Sequence, residues 1–146
     1  MGNSRHRQGF TLIETCLVLG LFLSMTYISL TQLNTTRESL VANHFFQNFE
    51  REVKLQHQKS LIKNKTPSFK YANQMIIFME GNTHKKLYLP TNISVKGGNY
   101  ETFTFTNTGH SSKTLNLPFQ INIGNTIKTV TYKFKFGSGN FEKEFS

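Results

Sequence analysis

The chain reads as an α+β protein in which a long N-terminal helix, apolar enough in its first half to lie in a membrane, packs on a C-terminal antiparallel β-sheet head. Three observations predict this. Residues 15 to 36 carry no charged side chain, and a run of roughly 22 residues makes a helix of about 33 Å, enough to cross a bilayer core of about 30 Å. Beyond that run Val41, Phe45, Phe49 and Val53 recur at every fourth position, the spacing of an amphipathic helix. After Pro67 the texture changes to short alternating runs broken by Gly and Asn, which is the pattern of antiparallel strands.

In chain order, residues 1–9 are polar, basic and too short to fold, and read as a leader. Arg5 and Arg7 on this flank favour a cytoplasmic N-terminus and an external C-terminus. Residues 10–36 form the membrane helix, in which Thr15, Ser24, Thr26 and Ser29 can return their hydroxyls to backbone carbonyls without breaking the span. Gly20 permits close approach of another helix. Residues 37–66 continue as an amphipathic helix to about Lys63, with Asn64 and Pro67 as stop signals and Lys63 and Lys65 near the negative end of the dipole. Leu40, Phe46 and Leu61 flank the stripe of Val41, Phe45, Phe49 and Val53, and together they mark the face on which a sheet packs. Asn34, Thr35 and Thr36 are weak helix formers, so a kink or fray is expected there.

Residues 67–146 are the head. Strands are expected at 75–79, 86–89 and 93–96, with Glu80-Gly81-Asn82 and Gly97-Gly98-Asn99 as turns. In 102–106 Phe103 and Phe105 fall on one face and the threonines on the other. Strands at 114–117 and 119–123 are expected to be separated by Pro118, which suits an edge or a bend. The last pair, 127–136 and 140–145, is joined by Gly137-Ser138-Gly139. Within it Val130, Tyr132, Phe134 and Phe136 share one face and Thr131, Lys133 and Lys135 the other. Lys128, Lys133, Lys135 and Lys143 together could form a basic row following a phosphate backbone, or could simply solubilise the strand and guard an edge.

Composition narrows the classes. A chain of 146 residues allows one small domain beside an anchor. With 14 Phe and 5 Tyr, aromatics must dominate its core. The single Cys excludes an internal disulfide and argues against a Cys-based metal site. Cys16 reads as a small apolar residue of the membrane helix. The net charge is +9, from 17 Lys and Arg against 8 acids, all of them Glu. Losing the leader leaves 15 cations against those 8 carboxylates, or +7, a balance that suits polyanions such as nucleic acid, an anionic envelope, or plain solubility.

Glu14 is the residue an ordinary anchor does not explain. An ionised acid one turn into an apolar segment costs several kcal/mol unless it is paired. A secretory signal peptide would end in a small-residue cleavage site, and none follows the run; a lipoprotein signal would place Cys after the run, whereas Cys16 stands near its start. A simple single-pass anchor accounts for the hydropathy but leaves Gly9, Phe10 and Glu14 to coincidence. The segment Arg5-His6-Arg7-Gln8-Gly9-Phe10-Thr11-Leu12-Ile13-Glu14 resembles the start of type IV prepilins and pseudopilins, with a basic leader ending in Gly, then Phe, then Glu four residues later, then an apolar helix. The resemblance implies a pilin-like fold, cleavage between Gly9 and Phe10 by a prepilin peptidase, N-methylation of Phe10, and pairing of Glu14 with the N-terminal ammonium of a neighbouring subunit.

The chain further resembles the minor pseudopilins of Gram-positive competence systems, with a GspH-like head. Phe45-Phe46, Phe49-Glu50, the strand and turn at 102–109 and the closing hairpin at 132–141 carry that likeness. It implies a component of a competence pilus at the cell surface, required for pilus assembly and for binding and uptake of transforming DNA. Its partners would be a major and other minor pseudopilins, the membrane, an assembly platform with a cytoplasmic ATPase, and double-stranded DNA. The alternatives are a minor pseudopilin of a type II secretion-like or type IV pilus machine without a DNA role, and a plain membrane-anchored β-rich binding protein.

Nothing in the sequence assembles a catalytic, metal or cofactor site. His6, His44, His57, His84 and His110 lack metal-ligand spacing, and Asp is absent. Gly109-His110-Ser111-Ser112-Lys113 begins like a nucleophile elbow, but Lys113 stands where the second Gly belongs and the surroundings alternate as β. Gly97-Gly98 lacks the Lys-Ser/Thr of a phosphate loop. The expectation is a non-enzymatic protein whose activity is packing, DNA contact, or both.

Overall fold

The computed structural model describes residues 11–63, 65–97 and 102–146. They form one helix, α1 (Leu12–Lys63), followed by eight strands: β1 (Ser68–Ala72), β2 (Met75–Glu80), β3 (Thr83–Tyr88), β4 (Ile93–Val95), β5 (Phe103–Thr104), β6 (Leu115–Ile123), β7 (Thr126–Phe134) and β8 (Phe141–Phe145). The strands make two four-stranded antiparallel sheets, ordered β3-β2-β1-β5 and β4-β6-β7-β8. This is the expected α+β arrangement of one long helix and an antiparallel head. The chain divides into two compact units, Met1–Thr36 and Arg37–Ser146.

In the first unit α1 is long and apolar enough to cross a membrane, with a mean hydropathy of 1.7 in its best window and none of that window buried. Three of the four hydroxyls behave as expected, Thr15 donating to the Leu12 carbonyl at 2.7 Å, Ser24 to Leu21 at 2.8 Å and Thr26 to Phe22 at 2.7 Å, while the side chain of Ser29 lies outside those described. Each polar group is thereby satisfied inside the helix. Asn34, Thr35 and Thr36, expected to fray, lie within α1.

In the second unit the rest of α1 is the spine of the core. Phe49 is fully buried and touches both sheets, with ring centroids 6.2 Å from Phe69 in β1, 5.6 Å from Phe119 in β6 and 5.0 Å from Tyr132 in β7. The sheets also meet directly, Phe134 lying 5.5 Å from Phe69 and 4.8 Å from Phe103. Such edge-to-face and tilted pairs each add about 0.5–1.5 kcal/mol beyond the area they bury.

The buried face of α1 differs from the expected stripe. Ala42, Phe45, Phe46, Phe49, Glu52, Val53, Gln56 and Ser60 are buried, and all lie within about 60° of Phe49 at about 100° per residue. A strict four-residue repeat drifts by about 40° each step, so Val41 has turned toward solvent. Leu40 and Leu61, on the far flanks, are more exposed still, at 63% and 54%. The face therefore includes polar positions that a search for apolar side chains passes over.

The strands at 75–79, 93–96 and 102–106 are expected close to where β2, β4 and β5 lie, and β3 begins three residues earlier than its expected start at 86. β1 was not anticipated, although Phe69 and Tyr71 alternate inward. Its turn to β2 is Asn73-Gln74, both at positive φ (51° and 61°), a left-handed pair usually built with Gly. Pro118 does not divide β6. It lies opposite Thr131 of β7, and on its other side the Lys96 N–H, just past β4, donates to the Pro118 carbonyl at 3.0 Å, so the missing N–H removes only the return bond at the end of that pairing. Phe136 is not on the core face either: β7 ends at Phe134 and Phe136 is 73% exposed.

Candidate functional site

Two features were expected to carry function, the N-terminal motif and the basic row on the last hairpin. Gly9 and Phe10 lie outside the described residues. Glu14 occupies the first turn of α1, where its carboxylate suits the positive end of the helix dipole. It is exposed, as are Leu12, Ile13, Leu17 and Val18 around it, and among the described residues no side chain pairs with it.

The four lysines do not form one row. Lys133 lies on the outer face of β7 and Lys135 just past its end; Lys133 donates to Glu144 Oε1 at 2.6 Å and Lys135 to Glu142 Oε1 at 2.5 Å. Lys143 stands opposite Tyr132 and Lys128 opposite Ile121, so both belong to the face that carries the core. Residue parity decides this: β8 is paired so that its odd positions face inward and its glutamates outward. Neither pairing register nor the glutamates' reach can be read from the β7 sequence alone.

Lys143 instead joins a half-buried network around the buried Tyr132. Its ammonium donates to Glu50 Oε1 at 2.9 Å and sits over the rings of Phe46 and Tyr132 at 5.4 and 5.5 Å. The Tyr132 hydroxyl donates to the same oxygen at 2.6 Å. Burial pushes the Glu50 carboxyl up, but the hydrogen bonds from Tyr132 and Lys143 outweigh it and hold the group below its ordinary range. Burial, reinforced by the Glu50 charge, pushes the Tyr132 hydroxyl far up, so it remains a donor. Glu50 thereby ties the helix to β7 and β8.

Most described carboxylates of the head are spent in this way. Glu38 accepts from the Gly124 N–H at 2.6 Å. Glu52 accepts from Lys85, and Glu80 is clamped between Lys59 at 2.6 Å and Lys65 at 3.2 Å. Those two lysines hold the Glu80 carboxyl down at about 2. Lys70 and Lys86 stand on either side of Ile77 on the outer face of the first sheet, and neither pairs with a carboxylate among the described residues. Lys86 begins a strand the sequence predicts, but Lys70 lies in β1, which it does not, so the pairing of the two across Ile77 stayed out of sight.

The loop that resembled a nucleophile elbow is structural. Ser111 is buried and donates its hydroxyl to the Lys135 carbonyl, tying the 105–111 loop to the end of β7. Gly109 (φ +81°) and Gly139 both press on the side of α1. A Cβ at Gly139 would come within 2.1 Å of His57 Nε2, and one at Gly109 within 2.5 Å of Leu61 Cδ2. His57, whose ring lies 5.7 Å from Phe105, is thus packed between loops. No protein-family model, curated protein or solved structure matches the chain.

Proposed function

We propose that this protein is a membrane-anchored subunit of a pilus-like assembly, a minor pseudopilin of the competence type that works by packing against a major pseudopilin and other minor ones. The observation that carries the reading is the division of labour along α1. Between Leu12 and Ile28 it presents exposed apolar side chains with one carboxylate, Glu14, in the first turn, whereas Ala42 to Ser60 supply the core of a β head. On this reading a prepilin peptidase cuts between Gly9 and Phe10 and methylates Phe10. Glu14 then meets the Phe10 ammonium of a neighbour, turning a lone charge in lipid into a pair. A cytoplasmic ATPase and a platform protein extract the subunit, with its head outside.

Intact mass and N-terminal sequencing of protein taken from its native membrane test this. The expected N-terminus is Phe10 carrying one methyl group, about 14 Da. An uncut Met1, or a cut beyond Leu33, overturns it. Glu14→Ala should impair incorporation into the assembly while leaving the head's unfolding transition unchanged.

A DNA role is favoured by a different pair of cations from those expected. Lys70 and Lys86 flank Ile77 without carboxylate partners among the described residues, whereas Lys133, Lys135 and Lys143 are neutralised by glutamates. Lys70→Glu with Lys86→Glu should weaken duplex binding and its salt dependence more than Lys133→Glu with Lys135→Glu. Equal effects from the two pairs would remove this assignment.

A further inference from the structure

β3 ends the first sheet, and among the described residues no strand pairs with its outer edge. Its side chains from Thr83 to Lys86 are exposed, as is Tyr88. The ladder to β2 shows which backbone groups that edge leaves open. The Leu89 N–H donates to the Gln74 carbonyl at 3.0 Å, one step beyond the register that sets Met75 opposite Tyr88. Bonded pairs alternate along an antiparallel ladder, so Leu87, Lys85 and Thr83 spend their backbone groups on β2, while Tyr88, Lys86 and His84 turn theirs outward. Such an edge is a template for another strand.

The flanking side chains select what can pair there. His84, Lys86 and Tyr88 project from the face away from α1, which also carries Lys70, and β1, β2 and β3 place no carboxylate on that face. Lys85 points the other way and donates to Glu52 of α1. A second copy is a poor occupant. Two β3 edges in full antiparallel overlap set Lys86 against Lys86. The other long open edge among the described strands is β8. Thr129 and Ser146 exchange both backbone bonds, so β8 turns Phe141, Lys143 and Phe145 outward, and its full overlap sets Lys143 against Lys86. Like charges directly opposite are destabilising.

The α1 side of β3 offers an apolar counterpart. Leu87 faces the core, and beside it a groove of about 350 Å³ opens between α1 and the end of β3, with Leu40, Val41, Phe45 and Pro90 also in its walls.

We propose that the open edge of β3 docks an extended acidic strand of a partner protein. The strand exchanges backbone hydrogen bonds with His84, Lys86 and Tyr88, sets carboxylates beside His84 and Lys86, and places a large apolar side chain in the groove. Backbone bonds supply affinity in this mode, and alternate side chains supply specificity. Edge lysines guard against indiscriminate pairing; these admit an acidic strand and repel a basic one. Lys86 also belongs to the cation pair assigned to DNA. A duplex brings phosphates and no peptide groups, so the two occupants mark the backbone differently.

The test uses the full chain in zwitterionic lipid nanodiscs, with hydrogen exchange read at each backbone amide by ¹⁵N NMR. The probe is a capped Thr-Phe-Glu-Thr-Glu peptide, which in antiparallel register sets its glutamates opposite His84 and Lys86 and its phenylalanine opposite Leu87. In the free protein the amides of Thr83, Lys85 and Leu87 should exchange slowly and those of His84, Lys86 and Tyr88 fast. Saturating peptide should slow the second set about tenfold or more and leave the first unchanged. The same peptide with lysines for glutamates should not. Lys86→Glu should weaken binding about fivefold or more, and Val41→Trp, which fills the groove and leaves the edge intact, should also weaken it. His84→Pro removes one outward N–H without touching the β2 ladder, should weaken binding too, and serves if another variant misfolds. Binding without alternate protection, no binding, or equal binding of the lysine peptide overturns the proposal. So does protection of these amides by duplex DNA or by raised protein concentration alone, or undiminished binding in the variants. Any of these results leaves the assembly reading intact, since that rests on Glu14 and the N-terminal motif.

Discussion

The two halves of α1 obey different solvents. Between Leu12 and Leu33 the side chains are apolar around most of the circumference, with Leu17, Leu19, Leu21 and Phe22 all more than half exposed. From Arg37 onward one stripe is buried, and the rest mixes charged and polar side chains with a few exposed apolar ones such as Leu40 and Ile62. A helix that is apolar all round needs an apolar surrounding, whereas one with a single stripe needs only a partner on that side. The same backbone element thus teaches two rules: in the first half composition decides, and in the second half angular position does.

The comparison is broken most severely at the centre of the stripe. Phe49→Ala should cost the head about 3–5 kcal/mol, seen as a lower urea midpoint, with membrane partition unchanged. Leu21→Arg should do the reverse. A charge at mid-span costs about 2.5–3.5 kcal/mol on insertion scales, so the membrane-bound fraction should fall while the head's urea midpoint stays fixed. If Leu21→Arg also unfolds the head, the two halves are not governed separately.

Acid sharpens the difference further, because the head's stability is written in carboxylates and the first half holds only Glu14. Glu80 is depressed from 4.5 to about 2 by Lys59 and Lys65. Its contribution is whole above about pH 4.5 and is lost as pH falls toward about 2. Stability measured across that window should drop, and Glu80→Gln should flatten part of the drop. An unaltered acid profile in that variant would mean that the clamp contributes nothing. The smallest effect belongs to the outer ladder: Lys133→Ala or Lys135→Ala should each change stability by less than about 1 kcal/mol, because exposed pairs contribute little.

What could be read from the sequence follows the same division. The apolar run was legible because length and composition suffice, and the core phenylalanines because their period shows. Glu52, Gln56 and Ser60 were not, since they share the buried face without sharing its chemistry. β1 was missed because Asn73-Gln74 is an unusual left-handed turn pair. The lysine row failed for a topological reason, in that the glutamates that neutralise Lys133 and Lys135 come from β8, and the register turns Lys143 toward Glu50 of α1. Of the candidate sites, Glu14 stood out as a lone charge in an apolar run.

Phe49 also has a consequence for the order of events during synthesis. It leaves the ribosome before any strand that covers it, and its contacts in β6 and β7 lie far downstream in the chain. The aromatic stripe must therefore wait, uncovered, until the long β6–β7 hairpin is complete, and the delay grows with the length of chain still to be made. A cell that slows elongation after Pro67 would lengthen the time during which Phe45, Phe46 and Phe49 are open to chaperones and proteases.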